Sequence, residues 1–259
     1  MNIVVCIKQV PGTTDIKIDP ETNTLVREGV ESIINPFDAY ALEEGVRLRE
    51  RYGGKVIAVS MGPPQAEQAH RDTISLGADE AVLISDRVFA GSDTWATSYV
   101  LSKAISTIGD YDLIICGRQT LDGDTGQVGP ELSEMLGMPF IAYVSRIEEV
   151  TEGYIKVQRM VEEGYEVLET TLPAVITVVK EINVPRLPSL RGSMKAKTAQ
   201  IPAWTAEYIG AEADKAGIAG SPTRVVKIFF PQRTHKSEML QGSFEEQVEQ
   251  LVDKLDNII

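Results

Sequence analysis

What this chain has little of narrows it first. Of 259 residues only two are cysteines, Cys6 and Cys116, and only two are histidines, His70 and His235. Two thiols cannot staple a disulfide-dense scaffold, so a reducing compartment is expected. Neither they nor the histidines have metal-ligand spacing, so a metal centre is not expected. Basic residues are short as well: 25 lysines and arginines against 38 acids leave a net charge of -13. That balance argues against nucleic acid or an anionic membrane as the main partner. No apolar run approaches the roughly 20 residues that cross a bilayer. The chain enters an apolar strand at Asn2, which leaves no room for a leader peptide, and a soluble cytoplasmic protein is expected. Aromatics make up only 6%, yet hydrophobic residues reach 43%, enough for a real core.

The chain is organised around residues 112–138, DLIICGRQTLDGDTGQVGPELSEMLGM. This reads as a buried strand over 113–116, a glycine-rich loop, and a helix that starts near 125–127 and ends at Gly137. Four glycines, Gly117, Gly123, Gly126 and Gly129, fall within thirteen residues. One turn needs one or two, and the surplus lets backbone amides approach a ligand closely. Arg118, Gln119, Asp122, Asp124, Thr125, Gln127 and Val128 fill the spaces between them. The first amides of a helix lack intrahelical partners and lie at its positive end, which suits phosphate. The stretch is therefore read as a cradle for a nucleotide diphosphate. The bland alternative is a tight turn and a capped helix. No Gly-Lys-Ser or Gly-Lys-Thr follows, so it is not a P-loop, and the chain contains no G-x-G-x-x-G. Asp122 and Asp124 open like a calcium loop, but no further acidic ligand follows at the required spacing.

The rest alternates. Strands are expected over 2–10, 55–61, 81–84 and 113–116, and helices over 35–52, about 65–76 and about 93–107. That rhythm implies right-handed crossovers and a parallel sheet covered by helices. A short hairpin is expected around residues 16–26. Asn35 can cap the first helix, with Pro36 at its first position and Asp38 near its positive end. After Phe140 three strands over 141–149, 154–161 and 165–171 form an antiparallel addition, and 174–179 returns as a core strand. From 184 the chain loses periodicity, with Pro185, Pro188 and Pro202 and a local excess of basic residues. It is read as an extended arm, with a short apolar run at 225–230 and a terminal amphipathic helix over 244–255. The fold expected is thus α/β: a doubly wound parallel sheet with helices on both faces, an antiparallel strand addition and an extended C-terminal arm. Residues 1–183 form the nucleotide-binding domain, and 184–259 make subunit and partner contacts.

In such sheets ligands bind at the carboxyl ends of strands, where strand order reverses. If the first strand neighbours the one at 113, then Cys6, Ile7 and Lys8 face the loop 117–129 across one crevice, beside Asn35, Phe37 and Asp38 and the Met61-Gly62 turn. Adenosine would lie against that first group and the phosphates on Asp124 to Gly129. Lys8 also reads as a solvent-facing strand end. Asp122 and Asp124 would repel phosphate, so they are expected to organise the loop, bonding its amides or orienting Arg118 and Thr125.

Several segments carry a family resemblance: VCIKQVP (5–11), NPFDAYALEEGVRLRE (35–50), GADEAVLISD (77–86), GRQTLDGDTGQVGP (117–130), LPAV (172–175) and VPRLPSLRGSMKAK (184–197). In order and over nearly the whole chain, they resemble the β subunit of electron transfer flavoprotein. The resemblance implies a heterodimer with an α subunit that holds a flavin, while this subunit holds FAD or AMP. Gly123, Thr125, Gly126 and Val128, with SDRVFAGSDTWATS (85–98), are closer to the FAD-holding, electron-bifurcating type than to the AMP type. In that type NADH gives up a hydride, and electrons pass separately to ferredoxin and to a partner dehydrogenase. The resemblance also implies that 187–195 meets that dehydrogenase. Leu190 would be the apolar anchor, with Leu187 and Met194 beside it and Arg191 and Lys195 supplying charge. No acid, base or nucleophile of the chain's own is called for, since the flavin carries the redox chemistry. Two rivals on similar sheets are a stress-type ATP-binding module, which needs neither arm nor antiparallel addition, and an ATP-pyrophosphatase-type synthetase. The latter requires a Ser-Gly-Gly-x-Asp-Ser loop where this chain has Val10-Pro11-Gly12-Thr13.

Overall fold

The computed structural model describes residues 1–12, 32–226 and 238–256. The strand expected at 2–10 forms in two pieces. β1 (Asn2–Cys6) is buried, as its unbroken apolar run requires, whereas β2 (Gln9–Pro11) pairs antiparallel with β3 (Ser32–Ile34) in a separate ribbon. Lys8 makes the break. Its carbonyl accepts from the Asn35 amide at 2.8 Å and its own amide donates to the Asp38 carboxylate at 2.7 Å, so its backbone is satisfied outside any ladder. The hairpin expected around 16–26 lies outside the described residues.

The expected alternation then holds through α1 (Pro36–Tyr52), β4 (Lys55–Met61), α2 (Glu67–Leu76), β5 (Glu80–Ile84), α3 (Thr94–Ile108) and β6 (Leu113–Gly117). Asp93 starts α3, its side chain accepting from the Ala96 amide at 3.1 Å. α4 (Val128–Leu136) ends at Gly137, which takes the left-handed conformation that glycine adopts freely. β7 (Phe140–Val150), β8 (Tyr154–Val161), β9 (Gly164–Thr171) and β10 (Ala174–Val178) follow.

These strands, with the two-residue β11 (Ala203–Trp204), form one sheet in the order β11-β5-β4-β1-β6-β10-β7-β8-β9. Strand order reverses between β1 and β6, which pair in parallel with Cys6 opposite Cys116. Successive residues of β1 point to opposite faces, so Ile3 and Val5 pack with Leu42 and Val46 of α1 while Val4 packs with Val100 and Ala104 of α3 and Leu132 of α4. The sheet is thereby covered on both faces. β7 pairs in parallel with β10 and antiparallel with β8, and Tyr143 marks the change with a φ of 61°.

The stretch from 184, expected as an unperiodic arm, carries regular structure. α5 (Leu190–Thr198) packs on α2, with Gly192 so close to the Ser75 carbonyl that a Cβ there would lie 2.2 Å from its oxygen. Ser189 starts the helix, accepting from the Gly192 amide at 2.9 Å. The helix was illegible because Ala196 is its one buried residue, so no apolar stripe repeats along it. β11 pairs with β5, and α6 (Ala206–Ile209) and α7 (Gly217–Gly220) follow. Residues 184–225 thus belong to a compact unit, Met1–Val225; the second unit, Val226–Ile259, holds the expected amphipathic helix as α8 (Phe244–Asp256). The apolar run at 225–230 lies mostly outside the described residues, among which no helix is long and apolar enough to cross a membrane.

Candidate functional site

The reversal point brings most of the sequence-derived residues to one edge. Cys6, the last residue of β1, lies opposite Cys116 near the end of β6, both buried, and Ile7 continues the line of β1 by donating from its amide to the Val59 carbonyl at 2.9 Å. Met61 and Gly62 leave β4 on the same edge, Gly62 donating to the Ile84 carbonyl at 3.0 Å. Loop 118–127 rises from β6 and stands largely exposed before α4. A cavity of about 330 Å³ near Met1 and Asp112 lies instead at the amino ends of β1 and β6 and contains none of these residues.

The first turn of α1 holds the loop. Asn35 was expected to cap α1; its side chain makes no cap bond. It is fully buried, and its Nδ2 donates to the Gln119 carbonyl at 2.8 Å while its Oδ1 accepts from the Leu121 amide at 3.2 Å. A buried primary amide that satisfies a carbonyl and an N–H of one loop fixes that loop's path. Asp38 accepts from the amides of Lys8 and Gly117 and so ties the ends of β1 and β6 together. Burial pushes its carboxyl from 3.8 up to about 7, against the pull of bonds from Asn35, Lys8 and Gly117. The Cys116 thiol is pushed well above its ordinary value by its hydrogen bond with Cys6 and by burial.

Within the loop the two acids are engaged, though not with Arg118 or Thr125. Asp122 meets the Lys8 ammonium at 2.8 Å. Burial alone would raise the Asp122 carboxyl, but the bond and charge of Lys8 hold it below the ordinary range. Asp124 accepts from Gln119 Nε2, and its amide donates to the Thr120 carbonyl at 2.9 Å. Asp124 and Gly126 both adopt left-handed φ, at 52° and 63°, which turns the loop back towards α4.

The glycines divide into two jobs. A Cβ on Gly117 would lie 2.3 Å from Asp38 Oδ1, and one on Gly129 would lie 2.5 Å from Thr177 Cγ2. These two let chain approach chain: Gly117 admits the first turn of α1 and Gly129 seats α4 on β10. Gly123 and Gly126 both lie in the exposed part of the loop, and Gly126 also supplies a left-handed conformation.

α4 starts at Val128 without a side-chain cap. Gln127 holds the cap position but turns its side-chain carbonyl to accept from Thr94 Oγ1 at 3.1 Å. Glu131 accepts from Thr94 and Ser98 hydroxyls, both at 3.0 Å, and ties α4 to α3. First-turn amides without a capping side chain are the donors a diphosphate takes. The Arg118 guanidinium lies 5.2 Å from the centre of the Tyr143 ring and has no carboxylate partner among the described residues. The donor set fits an adenylated cofactor, and the objection from Asp122 and Asp124 is met by their ties to Lys8 and Gln119. Thr94, Glu131, Tyr143 and Thr177 carried no signal of their own in the sequence; only the fold brings them to this edge.

The second group of site residues lies elsewhere on the unit. Leu187, Leu190 and Met194 are 87%, 82% and 64% exposed, an apolar ledge of the kind that marks an interaction site. Arg191 is exposed beside them. Lys195, expected to face a partner, is exposed and also donates to the carbonyls of Ala78 and Asp79, both at 3.1 Å, which fastens α5 to the turn after α2. Arg186 is turned inward: it meets Glu43 at 2.8 Å and Glu50 at 2.7 Å on α1.

Comparison with known proteins places the chain in a family. The electron transfer flavoprotein domain is matched over residues 22–208. An electron transfer flavoprotein subunit beta from Thermoanaerobacterium thermosaccharolyticum is 48% identical over 258 residues, covering 99% of this chain and 98% of that one. A protein of the same description from Clostridium acetobutylicum is 45% identical, with 98% of each chain covered. Subunit CarD of a caffeyl-CoA reductase-Etf complex from Acetobacterium woodii is 46% identical, again with 98% of each covered. With identity at this level running from end to end of both partners, the chain belongs to the electron transfer flavoprotein family, among its β subunits.

Proposed function

We propose that this chain holds FAD at the β1–β6 edge and works as the β subunit of a heterodimer with the family's α subunit. The observation that carries the reading is loop 118–127, exposed, braced by Asn35 and followed by an uncapped α4. The diphosphate would take the first-turn amides at Val128 and Gly129 and the loop amides from Gly123 to Gln127. Adenosine would lie against Cys6, Ile7, Asn35, Phe37, Asp38, Met61 and Gly62. Lys8 and Gln119 act on the loop, drawing Asp122 and Asp124 away from the phosphates. FAD is favoured over AMP because Gly123, Thr125, Gly126 and Val128 resemble the FAD-holding type of the family at this loop. When bound, the flavin would take a hydride from NADH and pass electrons by bifurcation to ferredoxin and, through the α-subunit flavin, to a dehydrogenase.

The ledge of Leu187, Leu190 and Met194 would receive that dehydrogenase. One relative is named as a subunit of a caffeyl-CoA reductase-Etf complex, which supports a partner acting on a CoA thioester. Buried free thiols at Cys6 and Cys116 suit a reducing cytoplasm.

The test is the cofactor content of the heterodimer purified with its α subunit. Two FAD per heterodimer are expected. One FAD with one AMP would reduce the chain to a simple carrier, and no adenine nucleotide at all would overturn the cradle.

A further inference from the structure

Tyr143 stands out because its backbone and its ring have separable purposes. Its φ of 61° lies where a bulky side chain crowds its own backbone. The bend it makes, as β7 passes from β10 to β8, would be made by glycine or asparagine at lower strain. The fold alone therefore gives no reason for an aromatic side chain here. The ring is 45% exposed and lies beneath the Arg118 guanidinium. Its position is set: the Tyr143 amide donates to Thr177 Oγ1 at 3.1 Å, and the Cγ2 of the same threonine abuts Gly129 in the first turn of α4. Arg118 in turn has its backbone fixed at the end of β6, its amide donating to the Val178 carbonyl at 3.0 Å. Among the described residues this arginine meets no carboxylate, and it is held over a ring whose backbone is tied through Thr177 to the first turn of α4.

We propose that Tyr143 is a positioning residue: its ring holds the Arg118 guanidinium in place to meet the phosphates of an adenylated ligand on the first turn of α4. The inference rests on the cradle reading above and adds a division of labour to it. The adenosine half of the ligand owes nothing to Tyr143, and the phosphate half owes it the placement of one cation. A cation kept over an aromatic face loses less freedom when it meets an anion than one swinging in solvent.

The experiment titrates adenosine and ADP by calorimetry into the heterodimer, the full chain with its α subunit, freed of bound nucleotide. Wild type, Tyr143→Phe, Tyr143→Gly and Arg118→Gln are compared. Tyr143→Phe keeps the ring and should bind ADP as wild type does. Tyr143→Gly should bind ADP about threefold to tenfold more weakly, with adenosine unchanged and a Tm at or above that of wild type, since the strain is gone. Adding Arg118→Gln to Tyr143→Gly should weaken ADP no further than Arg118→Gln alone. Unchanged ADP affinity in Tyr143→Gly would overturn the positioning role while leaving the cradle intact. Equal affinity of wild type for adenosine and ADP would overturn the cradle, and this role with it.

Discussion

Helix α1 holds two functional regions by opposite means, and the contrast shows how each is meant to behave. At its first turn Asn35 and Asp38, both buried, grip the loop 118–127 and the ends of β1 and β6 through hydrogen bonds to backbone. Along its outer side Glu43 and Glu50 hold Arg186, Glu44 accepts from Asn183 at 2.9 Å, and Arg47 donates to the Val184 carbonyl at 3.3 Å. The first set works out of water, where a partner left unpaired costs the full desolvation of a polar group. In the second Glu43 and Glu44 are buried, but Arg186, Glu50 and Arg47 reach water, so these ion pairs are partly screened and are weakened by salt. The cradle is built not to move. On the proposed function, the ledge bearing Leu187 and Leu190 would be fastened firmly enough to be presented and loosely enough to adjust to a partner.

The largest effect expected from breaking this comparison is at Asp38. With its carboxyl raised from 3.8 to about 7, the folded chain keeps a proton that the unfolded chain has released between those values. The corresponding stability is whole below about pH 4 and lost as pH rises through about 7, on the order of 4 kcal/mol in all. Asp38→Asn should flatten that slope in urea unfolding midpoints followed across the range. Parallel slopes in the two proteins would mean that the carboxyl is ionised throughout.

Next is Asn35→Ala, which leaves the Gln119 carbonyl and the Leu121 amide without their partner. A loss of about 2 to 3 kcal/mol is expected, with release of bound nucleotide on gel filtration. Retention of nucleotide at unchanged stability would show that the loop holds its own shape.

Smallest in stability is Arg186→Ala, at about 1 kcal/mol and less at high salt. Its sharper reading is kinetic. Leu190→Ala should slow electron transfer to the dehydrogenase with cofactor content and salt response of stability unchanged. Arg186→Ala should slow transfer while also removing part of the salt response. Two variants identical in both readouts would dissolve the distinction between anchor and fastening.

Much of this was legible beforehand because it depends on local pattern. The run at Leu113 to Cys116 needed only hydrophobicity to read as a buried strand, and Asp93 and Gly137 are a start and a stop that act within one turn. Residues 190–198 were not legible as a helix, since a helix that buries a single alanine repeats nothing. Asn35 looked like a cap because that is the local use of asparagine before a helix; its bonds to Gln119 and Leu121 run to residues more than 80 positions away. Lys195 looked like a solvent charge for the same reason, the carbonyls it reaches being more than 100 positions off.

The order of strands and helices, the acidic balance and the glycine-rich stretch after Cys116 were determined by the sequence alone, because periodicity, charge and backbone freedom are properties of neighbouring residues. Tertiary structure decided which glycines make room for chain, which charges are spoken for, and that Tyr143 underlies Arg118. Those follow from contacts between segments far apart in the chain, and no local pattern encodes a distance across a sheet.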